Sequence, residues 1–268
     1  MPTHLVALAT VVAMISGGNA MAASITPPIQ DLDLSGAVTW EVSDHALQTW
    51  NVLGLNPSAL SPAAASFEGV PANFSSGAVQ LPVSTITYDS TTAELQGLGL
   101  QGGYRLEAAF LGGLSWGGQI DITDLFINFK TGSVQGTITG VTALDEFVNY
   151  EGTIFTLGAT TYDPAQWAEG RQNLAIAPLA LDADASKAMA RGLGDWGSGM
   201  DFIFTAAAEN QGSLSIDLTP VLLDWPHPAL TAPSVATAVP EPGSWLLMGA
   251  GMVGLTLISR RKHARSVH

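Results

Sequence analysis

Apolar side chains recur at every second position through much of this 268-residue chain. That period commits those stretches to strands with one buried and one wet face. Ala37 to Val42, Val83 to Tyr88 and Leu214 to Leu218 all alternate in this way. Ile120 and Ile122 share one face; after an irregularity near Asp124 the pattern resumes with Leu125, Ile127 and Phe129. Thr131-Gly132-Ser133 then turns the chain into Val134, Gly136, Ile138 and Gly140, the clearest hairpin in the sequence. Val148 to Leu157 and Phe202 to Thr205, rich in aromatic and β-branched residues, are further strand candidates. Eight glycines between Gly97 and Gly118 point to bulged strands and tight bends.

Two short helices interrupt the strands. Ser43 can cap a segment with Ala46, Leu47, Trp50 and Leu53 on one face and Gly54 near its end. Asp184 begins a second, with Ala185, Ala188, Met189 and Gly192, ending near Leu193-Gly194. Each follows a strand-like run and stops at Leu-Gly, so the two form a candidate internal pair about 140 residues apart. The predicted fold is mainly β, an antiparallel β-sandwich-like domain with two short helices.

The last thirty residues have a different grammar. Val239-Pro240-Glu241-Pro242-Gly243 precedes an uncharged apolar run from Ser244 to Ser259, and Arg260-Arg261-Lys262 follows it. As a helix the run is roughly 24 Å long at about 1.5 Å per residue. That is short for a hydrocarbon core of about 30 Å, a gap that local thinning and snorkelling side chains close. Trp245 suits an interfacial ring, and the cluster Arg260, Arg261, Lys262 and Arg265 holds the other end in the cytoplasm. Gly249, Ala250, Gly251 and Gly254 give the helix one small face. A plain tail anchor would share these physical properties.

Motif, helix and basic stop together resemble the PEP-CTERM sorting signal of Gram-negative bacteria. The resemblance covers about a tenth of the chain. It implies that Pro240, Glu241 and Pro242 are recognised by an exosortase-type processing enzyme, and that Arg260, Arg261 and Lys262 act as the membrane stop. It implies transient insertion in the inner membrane, then residence at the cell surface or in the extracellular matrix, often alongside exopolysaccharide production. It implies no activity, because unrelated domains carry the same tail.

The other end fits export. Leu5 to Ile15 is apolar, and Ala20-Met21-Ala22 is an A-x-A cleavage site, so residues 1–22 read as a signal peptide. Its first fifteen residues lack Lys and Arg, leaving His4 and the terminal amine as the only positive groups. Residues 23–225 then form the exported domain, 226–239 a spacer, and 240–268 the sorting signal with its membrane helix at 244–259. Five prolines between Pro226 and Pro242 make the spacer an extended, semi-rigid segment that holds the domain clear of the anchor.

Residues 24–238 carry five basic and 22 acidic side chains, a formal charge of −17. Such a surface repels phosphate backbones and excludes nucleic acid as a natural partner. Cysteine is absent although an exported compartment permits disulfides, so stability has to come from a core.

Several motifs touch on chemistry, each with a plainer reading. Gly113-Leu114-Ser115-Trp116-Gly117 has the G-x-S-x-G form of a nucleophile elbow, but a strand-like segment follows it where a helix belongs. The one downstream histidine of the exported part, His227, lies in the spacer, so no serine hydrolase is expected. Asp182-Ala183-Asp184 opens like a calcium loop, yet Lys187 and Leu193 occupy the positions that need glycine and glutamate. Acidic residues at a helix start explain it better.

A calcium site assembled from Asp121, Asp124, Asp145 and Glu146 stays open. Otherwise no cofactor is expected. His45 and His227 have no neighbours at zinc-ligand spacing. Glu94 and Glu107 serve glycoside hydrolysis only if the fold joins them. Of the tryptophans, Trp40, Trp50, Trp116, Trp167 and Trp225 read as core or seam. Trp196, in the loop-like Asp195-Trp196-Gly197-Ser198-Gly199, is the candidate for stacking on a sugar ring. The functional expectation is an exported envelope or matrix protein with no catalytic activity. A module that binds exopolysaccharide is the alternative, and a secreted glycan-active enzyme is the third.

Overall fold

The structure is a computed structural model that describes residues 24–27, 34–162, 172–195, 197, 199–220 and 232–233. Among the described residues there are twelve strands, six of which follow the stretches expected to be strands. The set opens with β1 (Ser24–Ile25), β2 (Leu34–Val42), β3 (Leu55–Leu60), β4 (Ala64–Val70), β5 (Asn73–Asp89) and β6 (Leu95–Leu100). β7 (Gly103–Ala108), β8 (Gly118–Asn128), β9 (Ser133–Thr142), β10 (Phe147–Tyr162), β11 (Gln172–Leu181) and β12 (Gly212–Pro220) complete the set. The expected hairpin at Thr131-Gly132 joins β8 to β9, with Gly118 opposite Thr142 and Asn128 opposite Ser133.

The architecture is a barrel and not the expected sandwich. Eight antiparallel strands close in the order β5-β2-β12-β11-β10-β9-β8-β6, and β6 returns to β5. Sandwich and barrel share one alternation; whether the sheet edges meet decides between them. Here β6 pairs with β5 along one edge and β8 along the other. Its glycines permit that fit: a Cβ at Gly97 would lie 2.5 Å from the Phe126 ring and 2.8 Å from the Ile127 carbonyl.

The barrel flares at one end. Beyond β6, the halves of β5 and β8 part and take other partners. β4 lines β5 from Asn73 to Gln80, β7 lines β8 from Gly118 to Thr123, and β3 lies on β7. The irregularity read near Asp124 marks the change of partner. Asp124 sits in a bulge with φ of 53°, which returns Leu125 and Ile127 to the inner face that Ile120 and Ile122 occupy.

Among the described residues three helices stand at the flared end, one more than the two expected in this domain. Helix α1 (Asp44–Val52) is capped by Ser43, whose Oγ accepts the Ala46 N–H at 3.1 Å. Helix α2 (Ala183–Gly192) is capped by Asp182, which accepts from Asp184 N at 2.9 Å and Ala185 N at 3.3 Å. Both follow a strand and both end at Leu-Gly, with Gly54 at φ 61° and Gly194 at φ 82°. Helix α3 (Gly199–Ala206) takes in Phe202 to Thr205, which the sequence had cast as a strand. Asp195 decides that segment, because its Oδ1 accepts the Met200 N–H at 2.8 Å and starts a helix. A short apolar run has no period of its own to resist it.

Inward-facing side chains such as Val38, Val79, Ile122, Ile138, Ile176 and Ile216 are fully or almost fully buried. Their outward neighbours include Thr39, Glu41, Gln80, Gln135 and Asn149, the reverse of the lipid-facing pattern of a membrane barrel. No helix among the described residues is long and apolar enough to cross a membrane. The expected signal peptide and the membrane helix at 244–259 lie outside the described residues. Within the spacer, Ala232 packs against the barrel's core and Pro233 is buried.

Helix α2 can reach β8 and β9 because glycines meet there. A Cβ at Gly140 would lie 2.7 Å from the Gln119 carbonyl, and a Cβ at Gly192 would overlap the Ile120 side chain. Gly192→Ala is expected to destabilise the barrel by about 1–3 kcal/mol through overpacking. Thermal unfolding of the variant checks this, and an unchanged midpoint would show that the helix has room to shift.

Candidate functional site

The barrel interior is the first place to look for a site, and among the described residues it is packed with side chains. Trp40 of β2 packs against Trp50 of α1, Tyr104 of β7 and Phe155 of β10, with ring centroids 5.9, 5.0 and 5.4 Å apart. Beside them lies a cavity of about 20 Å³ bordered by Trp40, Leu100, Tyr104, Leu125, Ile127 and Phe155. Ligand pockets run to roughly 300–1,000 Å³, so this one accepts at most a water. Tyr104 is buried, its hydroxyl has no hydrogen-bond partner, and burial pushes its pKa far above the ordinary phenol range.

The outer face of the flared end is polar and ordered by register. Cross-strand partners point to the same side of a sheet. One row therefore runs Ser58–Arg105–Asp121–Thr139–Asn149 across β3, β7, β8, β9 and β10. The next runs Asn56–Glu107–Gln119–Val141–Phe147. At the centre, Arg105 forks onto Asp121, Nε to Oδ1 at 2.6 Å and Nη2 to Oδ2 at 2.8 Å. That bond holds the guanidinium pKa above its usual value. Turned to satisfy both partners, the Gln119 amide oxygen accepts from Nη2 and Nε, each at 3.0 Å. Phe147, 67% exposed, closes the second row.

The loop between β7 and β8 explains the G-x-S-x-G motif. Ser115 is fully buried, its Oγ donates to the Leu193 carbonyl at 2.6 Å and accepts the Gly117 N–H at 2.8 Å. The Trp116 N–H donates to the Gly194 carbonyl at 2.8 Å. The serine is a clamp that fixes this loop to the end of α2, with both roles of its hydroxyl taken. Phe110, 63% exposed, rests on the Trp116 ring at 5.9 Å.

The other candidates fall apart in space. Asp121 is held by Arg105, and Asp124 lies six residues along β8 from Gly118, whose partner Thr142 starts the turn bearing Asp145 and Glu146. That is roughly 20 Å of strand. Among the described residues no three His, Cys, Asp or Glu side chains gather at metal-binding distance. Glu107 stands opposite Gln119, while Glu94 precedes β6, whose Gly97 opposes Asn128. Nine residues of β8, on the order of 30 Å, separate the two ends. His45 is exposed on α1. Trp196, His227, Trp167, Trp225, the motif Pro240, Glu241 and Pro242, and the stop Arg260, Arg261 and Lys262 lie outside the described residues.

Comparison with known proteins bears mainly on the tail. Residues 238–262 match the PEP-CTERM protein-sorting motif. No curated protein matches the chain. Among solved structures, the heme binding protein HtaB from Corynebacterium glutamicum is similar at a TM-score of 0.44 and 11% identity, covering 74% of this chain and 96% of that one. A likeness that remote transfers no ligand.

The unpartnered hydroxyl of Tyr104 gives a stability prediction of unusual sign. Tyr104→Phe keeps the ring contacts with Trp40 and removes a buried, unbonded polar group, a change expected to stabilise by about 1–3 kcal/mol. A rise in the denaturation midpoint checks it; a fall would mean that the hydroxyl has a partner in solution.

Proposed function

We propose that this chain is a cell-envelope or extracellular-matrix protein whose barrel binds and does not catalyse. The PEP-CTERM motif at residues 238–262 implies export and processing by an exosortase, and it is the observation that carries the reading. The filled interior supports a binding role: with the barrel packed by side chains such as Trp40, Tyr104 and Phe155, a ligand meets the outer surface. Ser115, the one nucleophile set in a catalytic-looking motif, is spent on the Leu193 carbonyl. The reading requires no cofactor. The intact mass of protein from the native host tests it. A species starting near Ala23 and ending between Pro240 and Gly243 is expected, and one retaining Arg260 to His268 would replace sorting with permanent anchoring.

A second reading, binding of a neutral polysaccharide, is favoured by the rows around Arg105. Sugar hydroxyls both donate and accept, and Arg105, Asp121, Gln119 and Asn149 offer both on one face. Phe147 adds an exposed ring at the edge of that face, suited to the apolar side of a pyranose. The domain's charge of −17 turns away acidic polymers. Electrophoresis of the full chain through gels containing hydroxyethyl cellulose, galactomannan or the host's own neutral polysaccharide is expected to show retardation. Phe147→Ala should weaken it by about tenfold. Retardation that survives this change, or appears only with alginate, would remove the reading.

A further inference from the structure

After β12 stops at Pro220, the next described residues are Ala232 and Pro233. Ala232 packs against the core cluster of the barrel, and Pro233 is buried. Both residue types suit docking by so short a segment. Neither loses side-chain rotamer entropy on burial, and the pyrrolidine ring already fixes φ. The residue ahead of a proline is biased to extended backbone, so the two meet the barrel as a stiff pair. Five residues further on, at 238, the match to the sorting motif begins. Pro240 lies seven residues past Pro233, a span of at most about 25 Å, against about 70 Å for the twenty residues from Pro220.

We propose that Ala232 and Pro233 strap the chain to the barrel, and so meter the length of chain that the folded domain offers to the processing enzyme. The metering rests on the sorting reading above. Distances decide whether a strap matters. A domain of about 200 residues has a radius of gyration of roughly 16 Å. Strapped, the motif stays within one to two such radii of Pro233, so barrel and enzyme stand side by side during the cut. Counted from Pro220, the same motif would range over about four radii, and the place of the barrel would be immaterial. A lead this near to the size of the domain makes cutting sensitive to the loss of a few residues, which a spacer counted from Pro220 would tolerate.

Single thiols read the strap directly, because the chain has no cysteine of its own. In the full chain held in detergent, Ala232→Cys and, separately, Pro233→Cys are expected to react with a maleimide about tenfold more slowly than Ala236→Cys. Equal rates at all three positions overturn the proposal. Processing in the native host reads the metering. Deleting Ser234 to Thr237 brings Pro240 to three residues from Pro233, a reach of about 10 Å. That variant should stay uncut, with Arg260 to His268 retained in its intact mass. Adding Ala232→Asp and Pro233→Asp puts charge into the docked pair, releases the strap and should restore cutting. A deletion variant cut as well as the parent chain overturns the proposal, since the spacer then counts from Pro220. So does a deletion that the two aspartates fail to rescue, which would make the lost residues part of what the enzyme recognises. A parent chain that is never cut removes the sorting reading and the metering with it, while the thiol rates still decide the strap.

Discussion

The indole of Trp40 is the point at which the layers of this molecule meet. Its ring faces α1 through Trp50, the flared extension through Tyr104 and the far barrel wall through Phe155. Its Nε1–H donates to the Gln211 carbonyl at 3.1 Å, tying β2 to the segment entering β12. The Gln211 side chain in turn donates to the Ala207 carbonyl at 2.6 Å, just past α3. One buried residue therefore couples barrel closure to the placement of the helices. Without disulfides to constrain the unfolded chain, such an aromatic hub is what makes strands distant in sequence cooperate.

About half of the strands, β2, β5, β8, β9, β10 and β12, were legible because alternation is local physics. Val38, Trp40 and Val42 alternate with Thr39 and Glu41 whatever the sheet goes on to pair with. Closure was not legible. It depends on β6 reaching β5 and β8 at once, and the glycine-rich run that makes this happen reads in sequence only as a region of bends. The helix caps at Ser43 and Asp182 could be read, since capping needs a side chain and two or three neighbouring N–H groups. Helix α3 could not, because its cap comes from Asp195, separated from the helix by the glycine-rich stretch that looked like a loop.

For the surface features the division is similar. Nothing in the spacing of Arg105, Asp121 and Asn149 predicts one row; the register of three strand pairings creates it. Alternation alone could have placed Arg105 and Asp121 on wet faces, but not beside each other. Ser115 shows the opposite case, a motif visible in sequence whose chemistry dissolves once its neighbours are known. Its hydroxyl is buried with both a donor and an acceptor bond made, and constraint of that kind is a reason to expect order, not reactivity.

The filled barrel also separates the two things this chain has to do. With the described interior packed by side chains, the surfaces open to a partner are strand faces and edges. Faces suit extended partners, such as polymers or sheets, better than small molecules, because a flat surface buries little of a compact ligand. The sorting tail needs no part of that surface. Its motif, apolar run and basic stop form one contiguous stretch of sequence, separate from the residues that pack around Trp40. A domain held together by its own packing, with no disulfide to form, suits the export that the PEP-CTERM motif implies.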